Sequence, residues 1–113
     1  MNERVAIVGS RGWRDLGAVK SLIASLPDDA VVISGGALGV DSAAELFALS
    51  RGLTTLVYTP DWEKHSRKAG YMRNRTIVEN ADRVVAFWDG KSKGTQHTIN
   101  IAKELGVPCE VYR

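Results

Sequence analysis

A chain of 113 residues, 44% hydrophobic and 25% charged, is sized for one compact domain with an ordinary soluble composition. Its formal charge of +2 does not by itself point to nucleic acid, and its single cysteine, Cys109, excludes an internal disulfide. With only two histidines a structural zinc site is also disfavoured.

Met1-Asn2-Glu3-Arg4 lacks signal-peptide character, and no apolar run approaches membrane-spanning length. The expectation is a cytoplasmic single domain over residues 1–113, with no membrane association. Val5-Ala6-Ile7-Val8 is continuously apolar, which suits a strand covered on both faces. It breaks at a glycine turn, Gly9-Ser10-Arg11-Gly12-Trp13. A helix to Leu26 follows, with Leu16, Val19, Leu22, Ile23 and Leu26 on one face. Val31-Val32-Ile33 is the second strand. Ser34-Gly35-Gly36-Ala37-Leu38-Gly39-Val40-Asp41 then leads into a helical pattern from Ser42 to Arg51, closed by Gly52.

Leu53 to Tyr58 reads as a third strand. The polar stretch from Thr59 to Lys68 is long for a connection and is a candidate functional loop. Residues 69–80 read as a helix and Val84-Val85-Ala86-Phe87 as the fourth strand. A third glycine turn, residues 88–94, precedes a helix that Thr95 is expected to N-cap and Gly106 to end. Val107 to Tyr112 closes as a fifth strand, with Pro108 near its start. Strictly alternating strands and helices require right-handed crossovers. The fold class is therefore α/β: a doubly wound five-stranded parallel sheet, order 3-2-1-4-5, with helices on both faces. Its ligand crevice lies at the carboxyl ends of strands one and four, where the winding reverses.

Strand, glycine turn and helix start together aim backbone N–H groups and a positive dipole end at an anion. Three such turns share one edge of this sheet. Trp13, Trp62 and Trp88 also follow strands there, as a stacking surface for a base or, alternatively, as a roof over the open end of the sheet. The same segments carry Arg11, Arg14, Lys64, Arg67, Lys68, Arg73, Arg75, Lys91 and Lys93 against Asp15, Asp41, Asp61, Glu63 and Asp89. Nine cations against five carboxylates leave a surplus of four, which favours an anionic ligand.

Two familiar phosphate motifs fail. Gly90-Lys91-Ser92 resembles the end of a P-loop, but Val85 stands where its first glycine belongs. The dinucleotide fingerprint is met at Gly36 and Gly39 but begins with Ser34, and Tyr58-Thr59 replace its ribose-binding carboxylate. An ordinary NAD-dependent dehydrogenase is thereby disfavoured. Asp15, Asp41, Asp61 and Asp89 each follow a strand; such oxygens could hold Mg²⁺, but the favoured reading has Asp41 capping the second helix and contacting a ligand hydroxyl, with the others bonded to nearby arginines. No metal site or cofactor is assigned, Mg²⁺ remaining only an alternative. His65 and His97 lie near the rim without an evident partner, and ligand hydrogen bonding is the expected role. Cys109 is read as a small core residue.

Taken in order, Gly9-Ser10-Arg11, Gly35-Gly36-Ala37-Leu38-Gly39-Val40-Asp41, Ala69-Gly70 with Arg73-Asn74, Ala81-Asp82 and Gly94-Thr95 resemble the SLOG superfamily. That group unites the DNA-processing protein A (Smf) and LOG (lonely guy) families, and the likeness is greatest to its small stand-alone branch related to YspA and YpsA. The resemblance covers nearly the whole chain. It implies a Rossmann-like fold holding a nucleotide or nucleotide-derived ligand at Gly9, Ser10, Arg11, Trp13, Gly35, Gly36, Ala37, Gly39, Asp41, Arg73, Asn74, Trp88, Gly94 and Thr95. It also implies a homodimer. LOG enzymes cleave nucleoside monophosphates with a glutamate three residues after a Gly-Thr pair; here Thr98 occupies that position after Gly94-Thr95. The expected function is consequently a ligand-binding or sensing module with no catalytic residue assigned. The alternatives are a hydrolase of nucleotide glycosidic or phosphoester bonds, and a binder of nucleic acid as single-stranded DNA.

Overall fold

The computed structural model describes residues 2–113, apart from the side chain of Arg67, one of the rim cations named above, which lies outside the described residues. Five strands, β1 (Arg4–Gly9), β2 (Val31–Ser34), β3 (Thr54–Val57), β4 (Arg83–Phe87) and β5 (Cys109–Tyr112), pair in parallel in the order β3-β2-β1-β4-β5. Between them run α1 (Leu16–Ser25), α2 (Val40–Ser50), the short α3 (Trp62–His65), α4 (Ala69–Glu79) and α5 (Lys93–Leu105). This is the doubly wound α/β sheet that the alternation of elements predicts.

The apolar run of β1 feeds both sides of the sheet. Val5 and Ile7 join α1 and α2 in one core with Val19, Ile23, Val32 and Phe87. Ala6 and Val8 point the other way, into a second core with Ile77, Val78, Val84, Ile99 and Ala102 from α4, β4 and α5. Successive strand residues face opposite sides, so a strand covered twice needs apolar residues at every position. Burial of one such Val or Ile contributes about 1.5–3 kcal/mol.

On α1 the expected face holds for Val19, Ile23 and Leu26, which are buried, whereas Leu16 at the first turn is 40% exposed. The α2 terminus closes as anticipated: Gly52, at φ +75°, donates to Leu49 while Leu53 donates to Ala48. The same arrangement ends α5, where Gly106 and Val107 donate to Lys103 and Ala102. Three expectations need correction. The polar stretch after β3 is largely helical, because Asp61 caps α3 by accepting from the Lys64 N–H and a 3-10 turn at Ser66–Lys68 leads into α4. Helix α5 begins before Thr95, with Ser92 as its cap. Strand β5 starts at Cys109, after Pro108 has offered its carbonyl to the Val84 N–H. No helix among the described residues is long and apolar enough to cross a membrane.

Candidate functional site

The carboxyl ends of β1 and β4 finish level, Gly9 beside Phe87, and the turns that leave them part in opposite directions. A hydrogen bond ties the two turns together: the buried Ser10 accepts at Oγ from the Asp89 N–H at 3.1 Å. Ser10 is thus a pin below the site, and it does not line the opening. Asp89 in turn accepts at Oδ1 from the Lys91 and Ser92 N–H groups, both at 2.8 Å, which holds its carboxyl below the usual carboxylate range.

Beside these turns a cleft of about 330 Å³ opens over the sheet edge. Gly9, Arg11 and Gly12 border it from the first turn, and Gly35, Ala37 and Asp41 from the second. Helix α4 contributes Arg73, Asn74 and Ile77, and the start of α5 contributes Ser92, Gly94, Thr95 and Thr98. Nine of the fourteen expected residues therefore meet in one cavity: Gly9, Arg11, Gly35, Ala37, Asp41, Arg73, Asn74, Gly94 and Thr95.

The other five, Ser10, Trp13, Gly36, Gly39 and Trp88, do not border this cavity. Gly36 and Gly39 adopt φ of +72° and +87° and shape the second turn without lining the cavity. Trp13 packs edge-on against Phe87 with ring centroids 5.4 Å apart and donates its Nε1 hydrogen to the Asp15 carbonyl. Trp88 donates to the Ser92 carbonyl and lies under the Arg113 guanidinium, 4.7 Å from the ring centroid. Trp62 stands 60% exposed on α3. The three tryptophans do not assemble into one stacking surface, and none lines the cleft. Trp13 fills the roofing role instead.

Asp41 departs from its expected helix-capping role. It sits in the first turn of α2, where its Oδ2 accepts from the Gly35 N–H at 3.0 Å and the Ala37 N–H at 3.3 Å. The carboxylate thereby folds the glycine turn back on itself. Burial dominates its chemistry and pushes its pKa up to about 6, against the pull of those two N–H groups and of Arg73. Arg73 reaches across from α4 and donates through Nη1 to the Gly35 carbonyl at 2.6 Å and through Nε to Asn74 at 2.9 Å. Burial lowers its pKa, and the charge of Asp41 partly offsets this. Asn74 extends the chain to the Gly94 carbonyl and to His97 Nδ1 at 3.3 Å. His97 thus has a partner, and it also meets Tyr71 edge-on at 4.4 Å. Its pKa is lowered by burial, with Glu104 opposing.

The aspartates expected to bond to arginines bond mainly to backbone. Asp15 caps α1 through the Ala18 N–H, Asp61 caps α3, and Asp89 closes its own turn. Arg11 and Arg73 make no ion pair among the described residues, while Arg75 points away from the rim to Glu104 on α5. Cys109 is partly buried against the second core, which raises its thiol pKa. Ser92 went unrecognised in the sequence, although a serine directly before the α5 pattern is the usual cap signal. Thr98, in the place of the LOG glutamate, is buried and donates to the Gly94 carbonyl at 3.1 Å.

Sheet order, switch-point cleft and glycine turns define a Rossmann-like α/β protein. The chain belongs to the YspA, cpYpsA-related SLOG family, whose model matches residues 3–65. It is 37% identical over 115 residues to the Gene 61 protein of Mycobacterium phage D29, covering 93% of this chain and 92% of that one. Its fold is similar to DNA processing protein A from Streptococcus pneumoniae, with a TM-score of 0.85 at 24% identity over 97% of this chain and 50% of that one. The Helicobacter pylori protein of the same name, described for its single-stranded DNA binding mode, gives 0.74 at 23% identity over 96% and 64%. The chain thus spans half to two-thirds of the length of these structures.

Proposed function

We propose that the switch-point cleft binds a phosphate-bearing, nucleotide-derived small ligand and that the chain is a ligand-binding or sensing module. The observation that carries this reading is convergence. The N-terminus of α5 enters the same cavity as Arg11 and Arg73, and neither cation is neutralised by an ion pair among the described residues. A helix start and two cations complement an anion. Gly94 borders the cavity, and a Cβ added there would meet nothing within 4 Å, so a side chain introduced at this position has room. Calorimetric titration with AMP, ADP-ribose and cyclic nucleotides tests the reading. Gly94→Asp should fold normally, because an acid in the first helical turn is favourable, and should weaken any phosphate ligand at least tenfold. Equal titration curves for wild type and Gly94→Asp across the series would refute it.

A second reading, binding of single-stranded DNA, rests on the fold shared with a protein described by that property. Lys64 and Lys68, both exposed beside the rim, would then track the backbone. Affinity for a short oligonucleotide should in that case fall steeply with salt. The proposed homodimer, consistent with a small single-sheet domain, is checked by light scattering at micromolar concentration.

A further inference from the structure

We propose that Asp41 reads the sugar of the bound ligand, so that the cleft selects a ribose and rejects a deoxyribose. This inference rests on the binding reading above and narrows it to ribonucleotide chemistry. Asp41 is only 5% exposed, yet it lines the cavity. Its Oδ2 is fully used by the Gly35 and Ala37 N–H groups, which fix the carboxylate plane. Its Oδ1 has no hydrogen-bond partner among the described residues. No buried side-chain oxygen among the described residues is both sealed and unpartnered, so Oδ1 keeps an open side, and the cavity that Asp41 lines is the space it borders.

An immobilised, unpartnered carboxylate oxygen demands a donor and repels phosphate. The ligand must therefore place its phosphate on the Arg11, Arg73 and α5 side and offer an O–H or N–H to Asp41. The lining decides between a sugar hydroxyl and a base amine. Its side chains are aliphatic or polar, with Val8 and Ile77 the larger apolar surfaces and no aromatic face on which a base would stack. The cavity is built for a sugar phosphate, with any base outside it. A hydroxyl bonded to a buried carboxylate, once removed from the ligand, leaves that carboxylate desolvated and unpaired, which is costly enough to discriminate.

The test is calorimetric titration with ribose 5-phosphate, AMP and ADP-ribose against their 2-deoxy and 3-deoxy counterparts on the sugar nearest the phosphate. Wild type should prefer at least one ribose form over its deoxy form by about tenfold or more. Asp41→Asn, which retains an oxygen for the Gly35 and Ala37 N–H groups, should reduce that preference to about threefold or less while still binding the phosphate. Equal binding of ribose and deoxyribose forms overturns the inference and leaves the binding reading intact. An undiminished preference in Asp41→Asn also overturns the role of Asp41. No binding of any member overturns both. Should the variant not fold, the wild-type series alone decides.

Discussion

Arg73 and Gly35 are fitted to one another. The Nη1 of Arg73 donates to the Gly35 carbonyl at 2.6 Å, and a Cβ built on Gly35 would stand 2.5 Å from that same nitrogen and 3.0 Å from Asp41 Oδ2. The glycine is needed here for the absence of a side chain, since its φ is not in the left-handed region. Gly35→Ala should push the guanidinium out of the cleft. Chemical denaturation should show a loss of about 1–3 kcal/mol, and phosphate-ligand affinity should fall with it.

Gly36 makes the contrasting case. At φ +72° it sits where an L side chain is strained, and an added Cβ would lie 3.1 Å from Val57 and 3.2 Å from Thr59. Gly36→Ala should therefore cost about 1–2 kcal/mol in urea unfolding. Because residue 36 does not line the cleft, affinity measured on the folded fraction should stay close to wild type. A variant that keeps its stability but loses the ligand would mean that Gly36 touches it.

The raised pKa of Asp41 sets a pH dependence of stability. Its folded value of about 6 exceeds the ordinary 3.8, so the folded protein favours the neutral carboxyl. This contribution is full below about pH 4 and is lost as pH rises through 6. At pH 7.5 the ionised group costs on the order of 3 kcal/mol relative to the neutral one. Arg73 from α4 and Glu45 on α2 are the charged groups acting on it, and Arg11 and Asp89 border the same cavity. Asp41→Asn should accordingly be more stable than wild type at pH 7.5 by about 1–3 kcal/mol, with the difference vanishing near pH 4. Urea midpoints measured across that range provide the check.

Arg51 secures the far side of the fold. Its Nη1 donates to the carbonyls of Ile23 and Leu26 at the end of α1, at 2.7 and 2.8 Å, and its Nη2 pairs with Asp28 at 2.8 Å. Asp28 is fully exposed, so the ion pair itself contributes little. The two terminal carbonyls carry most of the effect. Arg51→Ala should lower stability by about 1–2 kcal/mol, and Asp28→Ala by well under 1, in thermal or urea unfolding.

The doubly wound parallel sheet was legible because strands and helices alternate strictly, and the consecutive apolar residues of β1 and β4 suit strands covered on both faces. The shared edge of the glycine turns follows from that alternation, and so does the meeting of Arg11, Gly35, Asp41, Arg73 and Gly94. Side-chain direction was not legible. Trp13 and Trp88 occupy the correct turns, but spacing along a loop does not reveal that one ring turns inward to Phe87 and the other lies under Arg113. The role of Asp41 was obscured for a related reason. An aspartate at a helix start signals a cap, yet this carboxylate turns back to the Gly35 and Ala37 N–H groups, which precede the helix. Ser92 lost its cap assignment to Thr95 because helix boundaries are the least determined feature of a sequence pattern.

Gly9 ends β1 against α2: a Cβ there would meet the Val40 side chain at 2.5–2.8 Å. The first strand and the second helix are therefore in direct van der Waals register at the point where both turn toward the cleft. The contact leaves no room for a side chain between the end of β1 and the start of α2, so a shift of the Gly9–Gly12 turn toward α2 would press directly on Val40. The outer side of that helix carries the exposed Leu46 and Leu49, on the opposite side of the sheet from Arg73, so a change in the Gly9–Gly12 turn on binding of the proposed ligand would be felt on the face away from that arginine.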